Sequence, residues 1–444
     1  MRTKKTVAFV FLFVCLSLWN FGDSLLFQTN LSENQQTSPF SLSNGLNVVY
    51  LYNPTSEVTV MQFLIKGGKM AEPQGKDGLA MMMTRLCIEI PDRSTLQKIM
   101  TQATQINMTS NMDYSLVSIG SLSEHFDSSI NLFSKILLKP LFSSIRIDSI
   151  KKAMNRSREF RQEDPLQLAH KEAMESFYGD SAYSGSFYGQ EDTLKSIRKR
   201  DVDNFYEKYF TAKNTSIFVS SDLDEGTIRK ILENHFKDIP EGSAIEDSGS
   251  VLSMLPEDKS IFVEKDTQQN LVLFAYPLPK LTEENYVFSN LVDNLIGKGV
   301  NSILWPLRVK EKLAYNVNSR LSLYKEGGLF EVYLETDNEK MDRAHEALLG
   351  ALDDLIERGV SEKDHHANLT FTKGSFLRQI ETKRDRTSFL LSLEALGLGY
   401  SFLDRIFLEV EKISVEEMNA FIKDILSPEK RLEVIIGPKT DRFR

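Results

Sequence analysis

An arginine and a tyrosine, Arg308 and Tyr315, lie seven positions apart in the stretch NSILWPLRVKEKLAY. The guanidinium of Arg308 is a planar fork of donors that stays protonated, and the phenol of Tyr315 supplies one more donor. Two such groups that converge on a carbonyl oxygen would polarise it or hold an oxyanion. From the residues alone, a surface arginine beside a packed aromatic ring is the favoured alternative, because short motifs often match by chance.

The elements around this pair are a helix and a strand. Asn301 and Ser302 can cap a helix, and Pro306 would then fall in its first turns, where a missing amide hydrogen costs least. After the helix, apolar and polar residues alternate, which is typical of a half-buried strand. The sequence therefore predicts Arg308 on a helix and Tyr315 at the start of the next strand.

The composition is that of an ordinary globular protein, and 444 residues are enough for about two to four domains. Basic residues number 53 and acidic residues 62, so the net charge of −9 makes nucleic acid and anionic membrane surfaces poor candidates for partners. Cys15 lies in the apolar N-terminal run, which leaves only Cys87 after processing. We therefore expect no internal disulfide.

The first residues are typical of an export signal. Three basic residues precede an apolar run from Thr6 to Leu18, which gives way to polar residues near Ser24. We expect residues 1–24 to be a signal peptide or, if they are retained, an N-terminal anchor, followed by a polar lead over residues 25–43. The protein would be periplasmic or otherwise extracytoplasmic, and membrane contact would be made only through an uncleaved N-terminal segment.

Two segments of the chain repeat one pattern. Ile197–Asp222 can be laid without gaps on Ile413–Pro438, with apolar positions largely coinciding, and each copy predicts a helix, a turn and a final strand. Each copy is preceded at a similar distance by an opening strand, predicted at Val58–Lys66 and Gln269–Tyr276. The pattern indicates one architecture built twice.

The duplication divides the chain into two homologous domains, residues 44–239 and 260–440, joined by a surface linker over residues 240–259. Strands that come early and helices that come in runs favour an α+β fold. In such a fold each antiparallel-rich sheet carries its helices mainly on one face. Each half of this chain is expected to have that form.

Several elements of the first half are also predicted. Leu46–Tyr52 and Val58–Lys66 are expected to be adjacent strands joined by a turn at Asn53-Pro54. Lys76–Ile90 is expected to be a helix with Asp77 near its cap, and one long strand is expected over Asn107–Ile119.

Several motifs together resemble those of the pitrilysin/insulinase metallopeptidases, the inverzincins. The resemblance extends over about residues 44–440 and rests on the segments NGLNVVYL, GGKMAEPQGKDGLA, GQEDTLKSIRKRDVDNFYEKYFTAKN, LWPLRVKEKLAYNV and LSPEKRLEVIIGP. It implies two homologous domains that form half of a clam-like chamber.

The resemblance also implies where a metal site would lie. In zinc-bearing members, the helix after the Gly-Leu-Ala segment carries His-x-x-Glu-His, which supplies two zinc ligands and a general base. The matching residues here are the run MMMTR, with Met81, Thr84 and Arg85 at the three functional positions, and the third ligand falls near Ser157. Thioether and hydroxyl groups are poor zinc ligands, and Arg85 is a permanent cation, so we expect no metal or other cofactor in this chain.

Arg308 and Tyr315 match the arginine and tyrosine with which family members reach the substrate carbonyl opposite the zinc, and Asn107 matches an asparagine on the strand that pairs with substrate. In two-chain members one subunit bears zinc and the other bears the Arg and Tyr with a degenerate metal helix. The resemblance implies that this chain is such a partner, which binds extended peptide at a sheet edge beside a homologous zinc-bearing subunit.

Two alternatives stay open. The chain would be a structural or peptide-holding scaffold if Arg308 and Tyr315 are inherited packing. A zinc-independent hydrolase is disfavoured because no Gly-x-Ser-x-Gly or similar nucleophile motif appears. The acid-rich grouping of His170, Glu172 and Glu175 is best explained as a solvated helix face.

Overall fold

Two β-sheets, each covered by helices, form the framework of the protein. A computed structural model describes residues 37–179, 181–245 and 259–438. The predicted export signal and most of the predicted linker lie outside these residues. Within the described ranges, no helix is long and apolar enough to span a membrane.

The first sheet has six strands in the order β1-β2-β6-β3-β5-β4. In chain order the strands are β1 (Thr37–Ser41), β2 (Asn47–Tyr52), β3 (Val58–Ile65), β4 (Gln105–Ser110), β5 (Ser115–Leu122) and β6 (Thr215–Ser221). Strands β2 and β6 are parallel, and every other neighbouring pair is antiparallel. Strand β1 lies within the segment predicted as a polar lead, so ordered structure is already present before residue 44.

The second sheet has five strands in the order β7-β11-β8-β10-β9. These are β7 (Ser260–Glu264), β8 (Asn270–Leu278), β9 (Asn316–Tyr324), β10 (Gly327–Thr336) and β11 (Leu432–Gly437). Only β7 and β11 are parallel. If β1 is set aside, strands β2, β6, β3, β5 and β4 correspond one to one with β7, β11, β8, β10 and β9. The predicted duplication therefore has the same strand order and the same directions in both halves.

Two predictions about the first sheet are wrong. Strands β2 and β3 are not adjacent, because β6 lies between them and bonds to both. The single strand predicted over Asn107–Ile119 is instead a hairpin, in which β4 and β5 pair antiparallel around a turn at residues 111–114. Both errors concern pairing between strands, which the local pattern of apolar residues does not specify.

The helices follow the same division into halves. Those of the first half are α1 (Leu79–Leu86), α2 (Arg93–Thr101), α3 (Phe126–Leu138), α4 (Ser144–Glu163), α5 (Pro165–Tyr178), α6 (Glu191–Ser196), α7 (Lys199–Tyr209) and α8 (Glu225–Phe236). Those of the second half are α9 (Glu283–Gly297), α10 (Trp305–Val309), α11 (Met341–Arg358), α12 (Glu362–Gln379), α13 (Lys383–Ala395), α14 (Ile406–Lys412) and α15 (Val415–Ile425). Helices α7 and α15 are the two copies predicted from the repeat.

Each sheet receives a helix from the other half of the chain on its second face. Helix α13 packs on β3 and β6 of the first sheet, and α5 packs on β8 and β11 of the second. Successive side chains of a strand point to opposite faces of its sheet. On β3, Phe63 packs in the core of the first half, whereas Leu64 packs in a core shared with α13. The prediction that helices lie mainly on one face agrees with this arrangement, and the single exchanged helix covers the second face because that face is also apolar.

Polar contacts fix the exchanged elements in place. On α13, the Lys383 ammonium donates to the carbonyl oxygens of Ser56 (2.7 Å) and Val58 (2.9 Å) of the first half. From α5, the Tyr178 hydroxyl donates to the Gly328 carbonyl oxygen (2.8 Å) and accepts from the Gly328 amide (2.7 Å) at the start of β10. The two halves are therefore joined by specific hydrogen bonds as well as by apolar packing.

Candidate functional site

Helix α1, which carries the degenerate metal motif, begins at a left-handed glycine and is capped from a distance. Gly78 has φ +93°, a conformation that favours glycine. The Glu72 carboxylate accepts from the amides of Gly78 (3.1 Å) and Ala80 (2.8 Å). Asp77 lies directly before Gly78, near the cap as predicted, and its carboxylate accepts from the Lys69 ammonium at 2.7 Å. The helix covers Leu79–Leu86, which is shorter than the predicted Lys76–Ile90.

This cap contains buried charge. The side chains of Lys69 and Glu72 are only 2% and 4% exposed, and their charged groups lie 3.7 Å apart. Burial raises the pKa of Glu72 to about 7, although the ammonium of Lys69 and the two amide donors lower it. Sequence reasoning missed this cap, because Glu72 lies six residues before Gly78, the residue that it caps.

The three motif positions on α1 have different surroundings. Met81 is half-buried and packs against the core of the first half. Thr84 is fully buried, and its hydroxyl donates to the Ala80 carbonyl oxygen at 2.7 Å. Arg85 is half-buried and lines a surface cavity. The position of the general base in zinc-bearing members is thus occupied by a hydroxyl that is already bonded within the helix.

The cavity beside Arg85 has a volume of about 660 Å³ and opens to solvent. Ser157, the position matched to the third ligand, lines the same cavity from α4, and its hydroxyl donates to the Ala153 carbonyl oxygen. The predicted positions Arg85 and Ser157 are therefore brought together. Nowhere in the described ranges do three or more His, Cys, Asp or Glu residues form a group that could hold a metal ion.

Arg308 lies near the end of α10, as predicted, but the start of this helix differs from the prediction. The helix is one short stretch, Trp305–Val309, and neither Asn301 nor Ser302 caps it. Arg308 is exposed, and its guanidinium carbon lies 5.4 Å from the centre of the Trp305 ring. Lys312, with φ +55°, turns the chain out of the helix towards β9.

Tyr315 immediately precedes β9 and continues its pairing, because its amide donates to the Glu335 carbonyl oxygen at 2.9 Å. Its side chain is 55% exposed, and the hydroxyl donates to the Asp337 carboxylate at 3.3 Å. The Lys340 ammonium lies 5.8 Å from the ring centre. In the described structure no hydrogen bond joins Tyr315 to Arg308, so each side chain is held by its own neighbours.

Strand β4 forms the outer edge of the first sheet beyond β5, and α1 packs beside it. Ile106 and Met108 of β4 pack against the core, whereas Asn107 between them is exposed. An edge strand with polar, exposed side chains has main-chain groups free to pair with an added strand. Asn107 thus lies on an edge strand, and its place beside a bound substrate stays a prediction.

A buried ionic cluster joins α5 to the second sheet. Glu331 on β10 is fully buried and is bonded to His170 Nδ1 at 2.8 Å, and Arg320 Nε on β9 lies 3.5 Å from its other oxygen. The interpretation of His170 as part of a solvated face is thus wrong. The signal in the sequence was Glu331 itself, a single acid within the apolar strand GGLFEVYLET.

Two family profiles match the chain. Residues 47–191 match the description insulinase (peptidase family M16), and residues 196–370 match the description peptidase M16 inactive domain. Fold and site together define a two-domain, peptidase-like protein whose metal motif is incomplete. The chain belongs to the peptidase M16 family, which confirms the predicted family resemblance.

Curated relatives cover most of the chain. It is 22% identical to the protein of Helicobacter pylori named non-peptidase homolog YmxG, over 85% of this chain and 88% of that protein. It is also 22% identical to an uncharacterized zinc protease of Rickettsia felis, over 89% of this chain and 96% of that protein.

Solved structures agree on the fold. A peptidase M16 inactive domain protein of Pseudomonas fluorescens aligns with a TM-score of 0.83 at 19% identity, over 91% of this chain and 99% of that one. A protease of Helicobacter pylori aligns with a TM-score of 0.81 at 17% identity, over 91% and 100% of the two chains. These likenesses confirm the predicted α+β fold class with two M16-type domains.

Proposed function

We propose that this chain is the exported, catalytically incomplete subunit of a two-chain zinc peptidase of the M16 family. It binds extended peptide and contributes Arg308 and Tyr315 to the active site of a homologous, zinc-bearing partner. The chain itself holds no cofactor, and zinc is bound only by the partner.

The observation that carries this proposal is the exposure of Arg308 and Tyr315 in a chain whose own metal positions are replaced. Neither side chain is enclosed by this chain, so both can meet a second chain. A guanidinium and a phenol presented to a substrate carbonyl would stabilise the negative charge that develops during hydrolysis. The carboxylate that activates water is absent here and must come from the partner.

The peptide would bind along the free edge of β4. An added strand would pair its main chain with β4, and such pairing gives affinity with little dependence on sequence. Asn107, exposed on this edge, would lie beside the added strand. By this pairing, a chain without a metal still takes part in peptide recognition.

The test is reconstitution with a zinc-bearing M16 homologue from the same genome. This chain alone should cleave no peptide, and the mixture should cleave faster than the partner alone. Arg308→Ala should remove most of that gain, about a hundredfold, because a donor to the developing oxyanion is lost. Tyr315→Phe, which deletes only the hydroxyl, should cause a smaller loss. Cleavage rates and zinc content of each chain are the measurements.

Arg343→Ala is the matched control, since Arg343 is an exposed arginine on α11 of the same half. It should leave the reconstituted rate unchanged. Size-exclusion chromatography should show that all variants still assemble with the partner. A reconstituted rate that Arg308→Ala leaves intact would contradict the catalytic contribution.

That last outcome would favour a purely structural or peptide-holding scaffold. The contact of Arg308 with Trp305 and the bond of Tyr315 to Asp337 are the observations on its side, since they give both side chains a role within this chain. A stable complex that lacks any zinc-bearing homologue would support the scaffold over the assisting subunit.

A further inference from the structure

The cavity at the former metal position is rich in arginine. Arg85 enters it from α1, and Arg156 and Arg161 enter it from α4. Among the described residues, none of the three forms an ion pair. Arg161 donates only to the neutral Gln167 amide oxygen at 3.2 Å and lies over the Tyr188 ring at 5.2 Å. Three cations thus line one open cavity without a carboxylate bound to any of them.

A second cavity of about 130 Å³ adjoins the first, because both are lined by Arg161, Gln167 and Tyr188. Arg158 of α4 lines this second cavity, and its Nη1 atom is buried without a hydrogen-bond partner in the described structure. A buried guanidinium nitrogen without an acceptor is costly, so a bound acceptor that reached this atom would be favoured. We call these two neighbouring cavities together the cationic groove.

The acids near this groove have other partners. Asp164 lines the first cavity, but its carboxylate caps α5 by accepting from the amides of Leu166 and Gln167. Glu163 bonds to the Lys265 ammonium at 2.9 Å, and Glu191 bonds to Lys195. The hydrogen bond and charge of Lys195 lower the pKa of the Glu191 carboxyl, and Arg158 adds to this only from a distance. The groove therefore keeps an excess of positive charge.

We propose that this groove, formed where other family members bind zinc, is a binding site for carboxylate side chains of an acidic peptide segment. The inference rests on the proposed function, since it names the class of peptide that the subunit would hold. Guanidinium groups bind carboxylates through two parallel hydrogen bonds, and the rings of Phe160 and Tyr188 offer contact to the aliphatic parts of a peptide.

The shape of the groove favours a peptide over a single phosphate ion. Arg156 and Arg161 are five residues apart on one helix, which places them about 7.5 Å apart along its axis. Arg85 enters from a different helix, so the cations are spread over the cavity wall. A volume of about 660 Å³ also exceeds what one small anion fills. Successive acidic side chains of an extended segment match this spread.

The test is binding by the full exported chain without a partner subunit. The probes are a blocked, labelled peptide of alternating glutamate and alanine, its glutamine counterpart, and inorganic phosphate as a competitor. Fluorescence anisotropy at low ionic strength should give at least about tenfold tighter binding of the glutamate peptide, and added salt should reduce this preference. The double variant Arg85→Gln/Arg156→Gln should abolish most of the preference.

Arg156→Gln alone is the variant least able to disturb folding, because Arg156 is exposed. It should weaken binding of the glutamate peptide several-fold. Arg343→Gln is the matched control, since Arg343 on α11 lines neither cavity, and it should leave binding unchanged. Equal binding of the glutamate and glutamine peptides would overturn the proposal. The proposal would also be overturned if phosphate displaced both peptides equally, because the groove would then be a site for free phosphate.

These outcomes can be separated from failure of the proposed function. If the glutamine peptide binds as tightly as the glutamate peptide, only the preference for acid is wrong, and reconstitution of cleavage is unaffected. If neither peptide binds, the chain does not hold peptide alone, and the peptide-binding part of the proposed function fails with it. The reconstituted cleavage rate of Arg308→Ala measures the catalytic contribution independently of both binding results.

Discussion

Glu72 is a buried acid whose negative charge is only partly stabilised by its neighbours. It accepts from two amides of helix α1 and lies near the buried Lys69, which also bonds to Asp77. These contacts favour the carboxylate, but loss of water around it favours the neutral acid, and the second effect is larger. Protonation of one residue is therefore linked to the stability of the helix that carries the degenerate motif.

The pKa of Glu72 is raised from 4.5 to about 7, so the folded chain binds a proton that the unfolded chain releases between these values. The free energy of unfolding should therefore fall as the pH rises from 4.5 through about 7, by at most about 3 kcal/mol. Glu72→Gln, which stays neutral, should remove this dependence. Urea denaturation at about pH 5 and about pH 8 measures it.

Glu159→Gln is the control for this prediction, because Glu159 is an exposed acid on α4. Its pH dependence should match that of the unaltered chain. If Glu72→Gln keeps the full slope across the same window, another group is responsible for it.

At the scale of elements, α9 and β9 approach each other so closely that one position accepts only glycine. A Cβ atom added at Gly297 would lie 2.1 Å from the hydroxyl oxygen and 2.2 Å from the amide nitrogen of Ser319. The Ser319 hydroxyl also donates to the Asp293 carboxylate at 2.6 Å, which ties the strand to the helix. Strand β9 follows Tyr315 directly, so this contact also fixes the position of the tyrosine.

Gly297→Ala should destabilise the protein by at least about 2 kcal/mol, because the added methyl group meets backbone that has no room to move. It should also lower the reconstituted activity by displacing Tyr315. Thermal unfolding and the cleavage assay measure the two effects.

Gly350→Ala is the opposite case and serves as control. Gly350 is an exposed position in the middle of α11, and an added Cβ would meet nothing within 4 Å. Alanine there should stabilise the protein by up to about 1 kcal/mol, since glycine is the poorer helix former. Equal effects of the two substitutions would contradict the steric argument.

Elements defined by local pattern were predictable, and contacts between distant parts of the chain were not. Helices α7 and α15 were predicted from the repeat, because the spacing of apolar residues in an amphipathic helix is a local property of the sequence. The insertion of β6 between β2 and β3 was missed, because strand order depends on residues far along the chain. At the site, the shared place of Arg85 and Ser157 followed from family resemblance. The bond of His170 to Glu331 joins residues 161 positions apart, which no local pattern reveals.

At the scale of the whole molecule, the two halves are joined by exchanged helices. Helix α13 covers the first sheet and α5 covers the second, and both carry buried apolar side chains, such as Leu391 and Phe177. Removing either helix would expose one face of a sheet whose side chains are now almost fully buried. Each half alone thus lacks part of its core.

Residues 37–245 and 259–438, produced as separate chains, should each be largely unfolded or aggregated. When they are co-expressed they should co-purify as a one-to-one complex, because each supplies the helix that the other needs. Circular dichroism, ANS binding and size-exclusion chromatography measure these outcomes. A soluble, cooperatively unfolding fragment of residues 37–245 alone would show that α13 is dispensable to the first sheet.

The position of α5 has a consequence for how this protein can change over time. Helix α4 bears Ser157 and three arginines of the groove, and it leads directly into α5, which covers one face of the second sheet. Mutation can replace the side chains that line the cavity, but deletion of the segment would expose one face of the second sheet. The requirement for folding therefore preserves the cavity whatever side chains line it, so a new ligand preference can evolve on this surface.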